Sequence, residues 1–266
     1  MVDELTGLAL LWRSGGLALV AFVLVLWPLS LRLRDASIVD IFWGPGGAAM
    51  AWIYFISTPS PGVRALICLA LVTAWGLRLG LYIGRRNHAG EDPRYAAIRA
   101  EVTARGSNFA LYSLRVVFIY QGLAMMLCSL PALFAISGTT PGLGIVGWLG
   151  AIIAASGLAI ETIADQQMSR FRATRQNREQ VMDRGLWRYS RHPNYCGEIM
   201  VQWGVLLLAL DTGPWALLAA IGPAMLTYLI IGPMGAALLE KRLGSNPAYD
   251  EYVRRTSAIL LWPPRK

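Results

Sequence analysis

Gly185-Leu-Trp-Arg-Tyr-Ser-Arg-His-Pro-Asn-Tyr-Cys-Gly-Glu198 runs directly into an apolar stretch that begins at Ile199. The first part is dense in charged, amide and aromatic side chains. The second is apolar enough to lie in lipid. Polar groups at membrane depth are tolerated mainly where they line a cavity or bind a ligand. Pro193 suits the first turn of a helix, where its missing N–H forfeits no bond. Asn194 and Tyr195 then fall at a helix N-terminus, a position that favours anionic groups such as phosphate. A cytosolic loop that merely caps a membrane helix needs one or two polar residues, not this many.

Composition agrees with a membrane setting. The chain has 266 residues, is 55% hydrophobic and only 15% charged, and has a mean hydropathy of +0.47. Soluble domains are usually about 25% charged. The net charge of +8 could suggest a nucleic-acid partner, but the basic residues sit in loops between apolar runs, as membrane topology requires. No nucleic acid is therefore expected. Cys68, Cys128 and Cys196 share no short metal-type spacing, and the only histidines are His88 and His192. Neither a structural metal site nor a disulfide framework is expected.

A hydrocarbon core takes about 20 apolar residues as helix. That length predicts spans near 8–31, 38–57, 63–84, 111–136, 144–167, 197–211 and 214–239. The run from Leu8 is too long for a signal peptide and reads as a first span. The loops near 57–62, 137–142 and 211–213 contain no Lys or Arg. The opposite set carries Arg32 and Arg34, then Arg85 through Arg105, then Arg170 through Arg191, then the C-terminal tail. The predicted fold is an all-α integral membrane protein of about seven transmembrane helices, N-terminus outside and C-terminus cytoplasmic, which puts every basic loop inside. No repeat or soluble second domain interrupts 1–266.

Several polar residues lie within the spans. Asp40 sits a few residues into the second; such a carboxylate is either functional or a first-turn Asp favoured by the helix dipole. Tyr54 shares its face about 21 Å along the axis, so both could face one long cavity without touching. Arg78 and Tyr82 share a face of the third span, and Arg78 is close enough to the end to snorkel. The loop 85–108 has room for a short amphipathic surface helix. Glu161, Asp165 and Met168 form one stripe of the fifth span, continued by Arg172. Gly232-Pro233 predicts a kink in the last span, and the tail after Pro247 reads as a short helix followed by an apolar anchor.

The cytoplasmic half thus collects Asp165, Arg172, Arg178, Tyr189, Arg191, His192, Asn194, Tyr195 and Glu198, joined by Glu240 and Tyr252 of the C-terminal segment. Arginines clamp phosphates, carboxylates accept from ribose or adenine, and aromatic rings stack on bases. The set suits a nucleotide cofactor. No Gly-x-Gly-x-x-Gly follows a strand, so the cofactor would lie within the helix bundle rather than in a Rossmann site. A lipid-soluble substrate would then reach its reactive end sideways from the bilayer.

At these residues the chain resembles the bacterial members of the steroid 5-alpha-reductase-like membrane superfamily. The matching pieces are Ser37-Ile-Val-Asp-Ile-Phe-Trp-Gly, Trp75-Gly-Leu-Arg-Leu, Glu161-Thr-Ile-Ala-Asp-Gln-Gln, the 185–198 motif and Arg254-Arg-Thr-Ser-Ala. The resemblance implies a bundle in the bacterial inner membrane that binds NADPH and reduces an enone double bond of a steroid-like or isoprenoid lipid. It places Asp165, Arg172, Asn194 and Glu198 on cofactor-contacting positions with Tyr189 beside them. Residues 137–266 would form the cofactor half and 1–136 the substrate half. In the substrate half the resemblance weakens: Asp40 stands without the Gln that precedes the family's carboxylate, and Trp75 occupies the place of its Tyr. Indole donates a hydrogen bond but supplies no proton, so the candidate catalytic groups are Asp40 and Tyr54.

The C-terminal half is also similar to the isoprenylcysteine carboxyl methyltransferases, which share an Arg-His-Pro-x-Tyr-x-Gly segment and use S-adenosylmethionine. That implies a membrane methyltransferase acting on a lipid or prenylated substrate. A lipid-binding or transport protein would need no such polar cluster.

Overall fold

The computed structural model describes residues 2–87, 90–138, 142–177, 179–232, 235–243 and 246–265. Arg178 and His88 lie outside the described residues. Among the described residues all regular structure is helical and there is no strand. The elements are α1 (2–33), α2 (Ile38–Ser57), α3 (Val63–Arg86), α4 (Pro93–Ala104), α5 (Phe109–Ser137), α6 (Ile145–Thr174), α7 (Pro193–Leu210), α8 (Ile221–Ile231), α9 (Ala236–Leu243) and α10 (Pro247–Arg255). Five helices among the described residues are long and apolar enough to cross a membrane: Thr6–Leu33, Val63–Arg86, Phe109–Ser137, Ile145–Thr174 and Pro214–Lys241.

The helices α2 and α7 are long enough, at 20 and 18 residues, but too polar to join that set. Ten of the 18 residues of α7 are buried, so protein rather than lipid covers most of its surface. A helix packed among other helices does not need an apolar perimeter.

Two glycine seams set the packing. Gly44 of α2 and Gly76 of α3 meet backbone to backbone, and Gly80 receives Pro45. On the other pair, Gly157 of α6 faces Gly197 of α7, and Gly150 faces Gly204. Small residues let helix backbones approach closely, which is the main attraction available where lipid is as apolar as Leu. Apolar side chains of α1, α2, α3, α5, α6 and α7 then fill the core, with Tyr54, Met50, Phe118 and Met125 almost fully buried.

The two ends of the bundle differ. At one end, Arg64 donates to the carbonyls of Ala135 and Gly138, and Asp211 accepts from the Gly144 backbone, tying the short loops together. At the other end lies α4, the amphipathic helix expected between the third and fourth spans. Asp92 caps it by accepting from the Arg94 N–H at 2.9 Å, and Pro93 occupies its first turn. The last span breaks after Ile231, as the Gly232-Pro233 pair predicts; Pro233 itself lies outside the described residues. The helix resumes as α9, and the tail forms α10 followed by an extended segment.

Candidate functional site

Pro193 starts α7, as its fixed φ favours, and the glycine seam presses this first turn against α6. One turn beyond Gly157 comes Glu161, whose backbone touches Gly197; the next residue of α7 is Glu198. The seam therefore gathers the carboxylates of Glu161, Asp165 and Glu198 at the junction of the two helices. Glu161 and Asp165 are 2% and 4% exposed. Their countercharge comes from the neighbouring helix: Arg78 of α3 pairs with Glu161 and donates to Asp165 Oδ2 at 2.6 Å. Arg78 thus bridges the two acids inside the bundle instead of snorkelling. Arg172, expected to continue the acidic stripe, is exposed two turns further on.

Six buried polar atoms in this region have no hydrogen-bond partner: Glu161 Oε2, Asp165 Oδ1, Asn194 Oδ1, the indole Nε1 of Trp75, and Nε and Nη2 of Arg78, the last held only by its ion pair with Glu161. Leaving such a group unmade costs roughly 1–3 kcal/mol each, more for a charge. Three acceptors and three donors on α3, α6 and α7 suit a ligand that carries both donors and acceptors, such as hydroxyl or carboxamide groups. Arg172 near the end of α6, and Arg184 and Arg188 on the segment that leads into α7, are exposed.

The remaining motif residues are engaged among themselves. Arg191 makes a bidentate pair with Glu240, at 2.9 and 3.1 Å, and its third nitrogen donates to the carbonyls of Val253 and Thr256. His192 Nε2 donates to the same Glu240 at 2.9 Å, and its ring stacks on Tyr195 at 5.4 Å between centroids. Burial holds the His192 pKa below its ordinary value against the pull of Glu240, so the ring is neutral near pH 7. Tyr252 donates to the carbonyls of Trp187 and Ser190, and burial pushes its hydroxyl pKa up. The tail is tied to the motif by backbone hydrogen bonds: the N–H groups of Arg191 and His192 donate to the carbonyls of Ser257 and Ala258 at 2.8 and 3.1 Å, and the Trp262 N–H donates to the Tyr189 carbonyl. Arg191, His192, Glu240 and Tyr252 form a clasp that fixes the wall of the site, with their polar atoms already occupied. Tyr189 is 41% exposed beside it.

The expected catalytic pair is separated. Both oxygens of Asp40 are engaged, by Arg94 at 2.9 Å and by the Tyr95 hydroxyl at 2.7 Å, and Gln121 donates in turn to Tyr95. Asp40 thereby holds α4 onto the bundle. Tyr54 is fully buried and hydrogen-bonded to Ser129 at 2.8 Å. A cavity of about 30 Å³ lies beside Ser129, lined by Trp43, Trp75, Met125, Cys128 and Gln202 among others. Neither Asp40 nor Tyr54 lines it, so the single long cavity expected from their shared helix face is replaced by a small one that Tyr54 reaches through Ser129.

Arg78 and Gln202 are the site residues the sequence did not point to. Arg78 had a usable signal, since carboxylates embedded in an apolar run require a countercharge. Gln202 had none beyond its place within α7.

Among known proteins, the Schizosaccharomyces pombe "Uncharacterized protein C594.04c" is 25% identical over 210 residues, covering 69% of this chain. The chain spans 60% of that relative's length. No solved structure matches. Residues 26–256 match the family described as "Protein of unknown function (DUF1295)", and the chain belongs to that family.

Proposed function

We propose that this protein is a membrane-embedded, NADPH-dependent reductase acting on the conjugated double bond of a lipid enone. The observation that carries the reading is the set of unpartnered buried atoms on Trp75, Arg78, Glu161, Asp165 and Asn194, with exposed arginines on the segment between α6 and α7. Ribose hydroxyls and a carboxamide match the inner acceptors, and phosphates match the exposed arginines. NADPH would supply the hydride. The chain must supply a hydrogen-bond donor for the developing enolate oxygen and then a proton. With Asp40 engaged by α4, the Tyr54–Ser129 hydroxyl pair beside the cavity is the better-placed donor. The substrate is steroid-like or isoprenoid and enters from the bilayer.

The topology belongs to the same reading: α2 and α7 join the five apolar helices to make seven crossings, with the N-terminus outside and the C-terminus in the cytoplasm of a bacterial inner membrane. Basic residues on the loops at the α4 end support it.

A second reading is favoured by one specific feature. Three carboxyl groups gather about a single arginine, and a cationic ligand such as the sulfonium of S-adenosylmethionine would give them a further countercharge. Titration of the purified protein with each cofactor separates the two. NADPH binding that weakens at least tenfold in Asn194→Ala and Arg172→Ala, with the melting temperature retained, supports the reductase. Saturable binding of S-adenosylmethionine alone refutes it.

A further inference from the structure

The extended tail that closes the clasp also forms a recess of about 300 Å³ on its own outer side, lined by Arg191, Arg254, Arg255, Arg265, Leu260 and Trp262 among others. Two of these arginines are neutralised: Arg191 by Glu240 and Arg255 by Asp183 at 2.7 Å. Arg254 and Arg265 are exposed and have no acidic partner among the described residues. The recess therefore keeps a local positive excess. Its rim is apolar, with Leu260 and Trp262 each 67% exposed. The backbone hydrogen bonds between 257–262 and 189–192 and the Arg265 N–H to Arg255 carbonyl bond at 2.8 Å hold these groups in place.

We propose that this recess binds the phosphate of an anionic phospholipid in the leaflet facing the tail. A volume of this size lies at the lower end of small-ligand pockets, enough for a headgroup and not for a whole lipid. Exposed Trp and Leu beside unpaired Arg is the arrangement found where a protein meets the membrane interface, with the indole at headgroup level and the cation on phosphate. The apolar rim is the reason for choosing a lipid over a soluble phosphate, which would leave Leu260 and Trp262 in water. The assignment rests on the membrane setting alone and is independent of the reductase reading, because neither Arg254 nor Arg265 belongs to the site between α3, α6 and α7.

The test is native mass spectrometry of the full chain released from bilayer nanodiscs containing phosphatidylcholine and phosphatidylglycerol in equal amounts. The wild type retains phosphatidylglycerol preferentially. The Arg254→Gln/Arg265→Gln variant loses that preference by about 25-fold, roughly fivefold per arginine. The Arg254→Lys/Arg265→Lys variant keeps most of it, which separates lost charge from lost fold. Equal retention of the two lipids by the wild type, or an unchanged preference in the glutamine variant, overturns the proposal. Displacement of the retained lipid by millimolar inorganic phosphate or by NADPH also overturns it, reassigning the recess to a soluble anion or to the cofactor.

Discussion

Gly157 of α6 and Gly197 of α7 meet so closely that a β-carbon on either would lie 2.5 or 2.6 Å from the other's carbonyl oxygen. This contact sets the distance between the two helices that carry Glu161, Asp165, Asn194 and Glu198. No side chain can yield there, because the opposing atoms are backbone.

Gly157→Ala and Gly197→Ala should each force the helices apart. Overpacking of this kind costs about 1–3 kcal/mol. Thermal unfolding in detergent should show a clear drop for both variants and a larger one for Gly157→Leu. Wild-type melting in the alanine variants would mean that the seam is not a tight contact.

Removing Arg78 leaves two buried acids without a countercharge. Breaking a buried pair from one side costs about 3–5 kcal/mol, whereas removing both partners is far milder. Arg78→Gln should therefore be strongly destabilised, and Arg78→Gln/Glu161→Gln/Asp165→Asn should recover most of the loss. Equal stability of the single and triple variants would show that the charges do not interact.

The clasp makes a prediction about the tail. Glu240→Gln weakens the hold on both Arg191 and His192 and should loosen 256–265 from the motif. Limited trypsin digestion should then cut after Arg254 or Arg255 several times faster than in the wild type. Unchanged cleavage would place the tail's hold in the backbone pairing alone.

His192 supplies a pH dependence. Its folded pKa lies below the ordinary value of about 6.5, so the unfolded chain takes up a proton first as pH falls. The contribution of the neutral ring is thus fully present above about pH 6.5 and is lost progressively below it. Melting temperature should decline from pH 7.5 to pH 5.5, and His192→Gln should flatten that part of the slope. A slope identical in the variant would assign it to other groups.

Asp40→Asn removes the charge that holds Arg94 and weakens the acceptor for Tyr95. Hydrogen exchange over 93–104 should speed up while exchange across α6 and α7 stays as in the wild type. If α4 is unaffected and turnover on an enone vanishes, Asp40 acts in the chemistry and not on the surface helix.

Much of this architecture was legible in the sequence because lipid imposes simple constraints: apolar runs of fixed length, basic residues sorted to alternate loops, Pro193 at the start of α7 and a break after Ile231. The sequence also grouped Asp165, Asn194 and Glu198, since Asp165 lies toward the end of α6 and the other two at the start of α7, the helix that follows. Which polar groups remain available was decided only by tertiary contacts. Arg191, His192 and Glu240 carry the same chemical promise as Arg172 in one dimension, yet three-dimensional pairing ties them to one another and to the tail. Arg78 was ambiguous for the same reason: a charge near a helix end can reach for water or for a buried acid, and the neighbouring helix supplies the acid. Distance along a chain does not encode which helix stands next to which; the glycine seams that set this act through backbone contact between residues 32 to 54 positions apart.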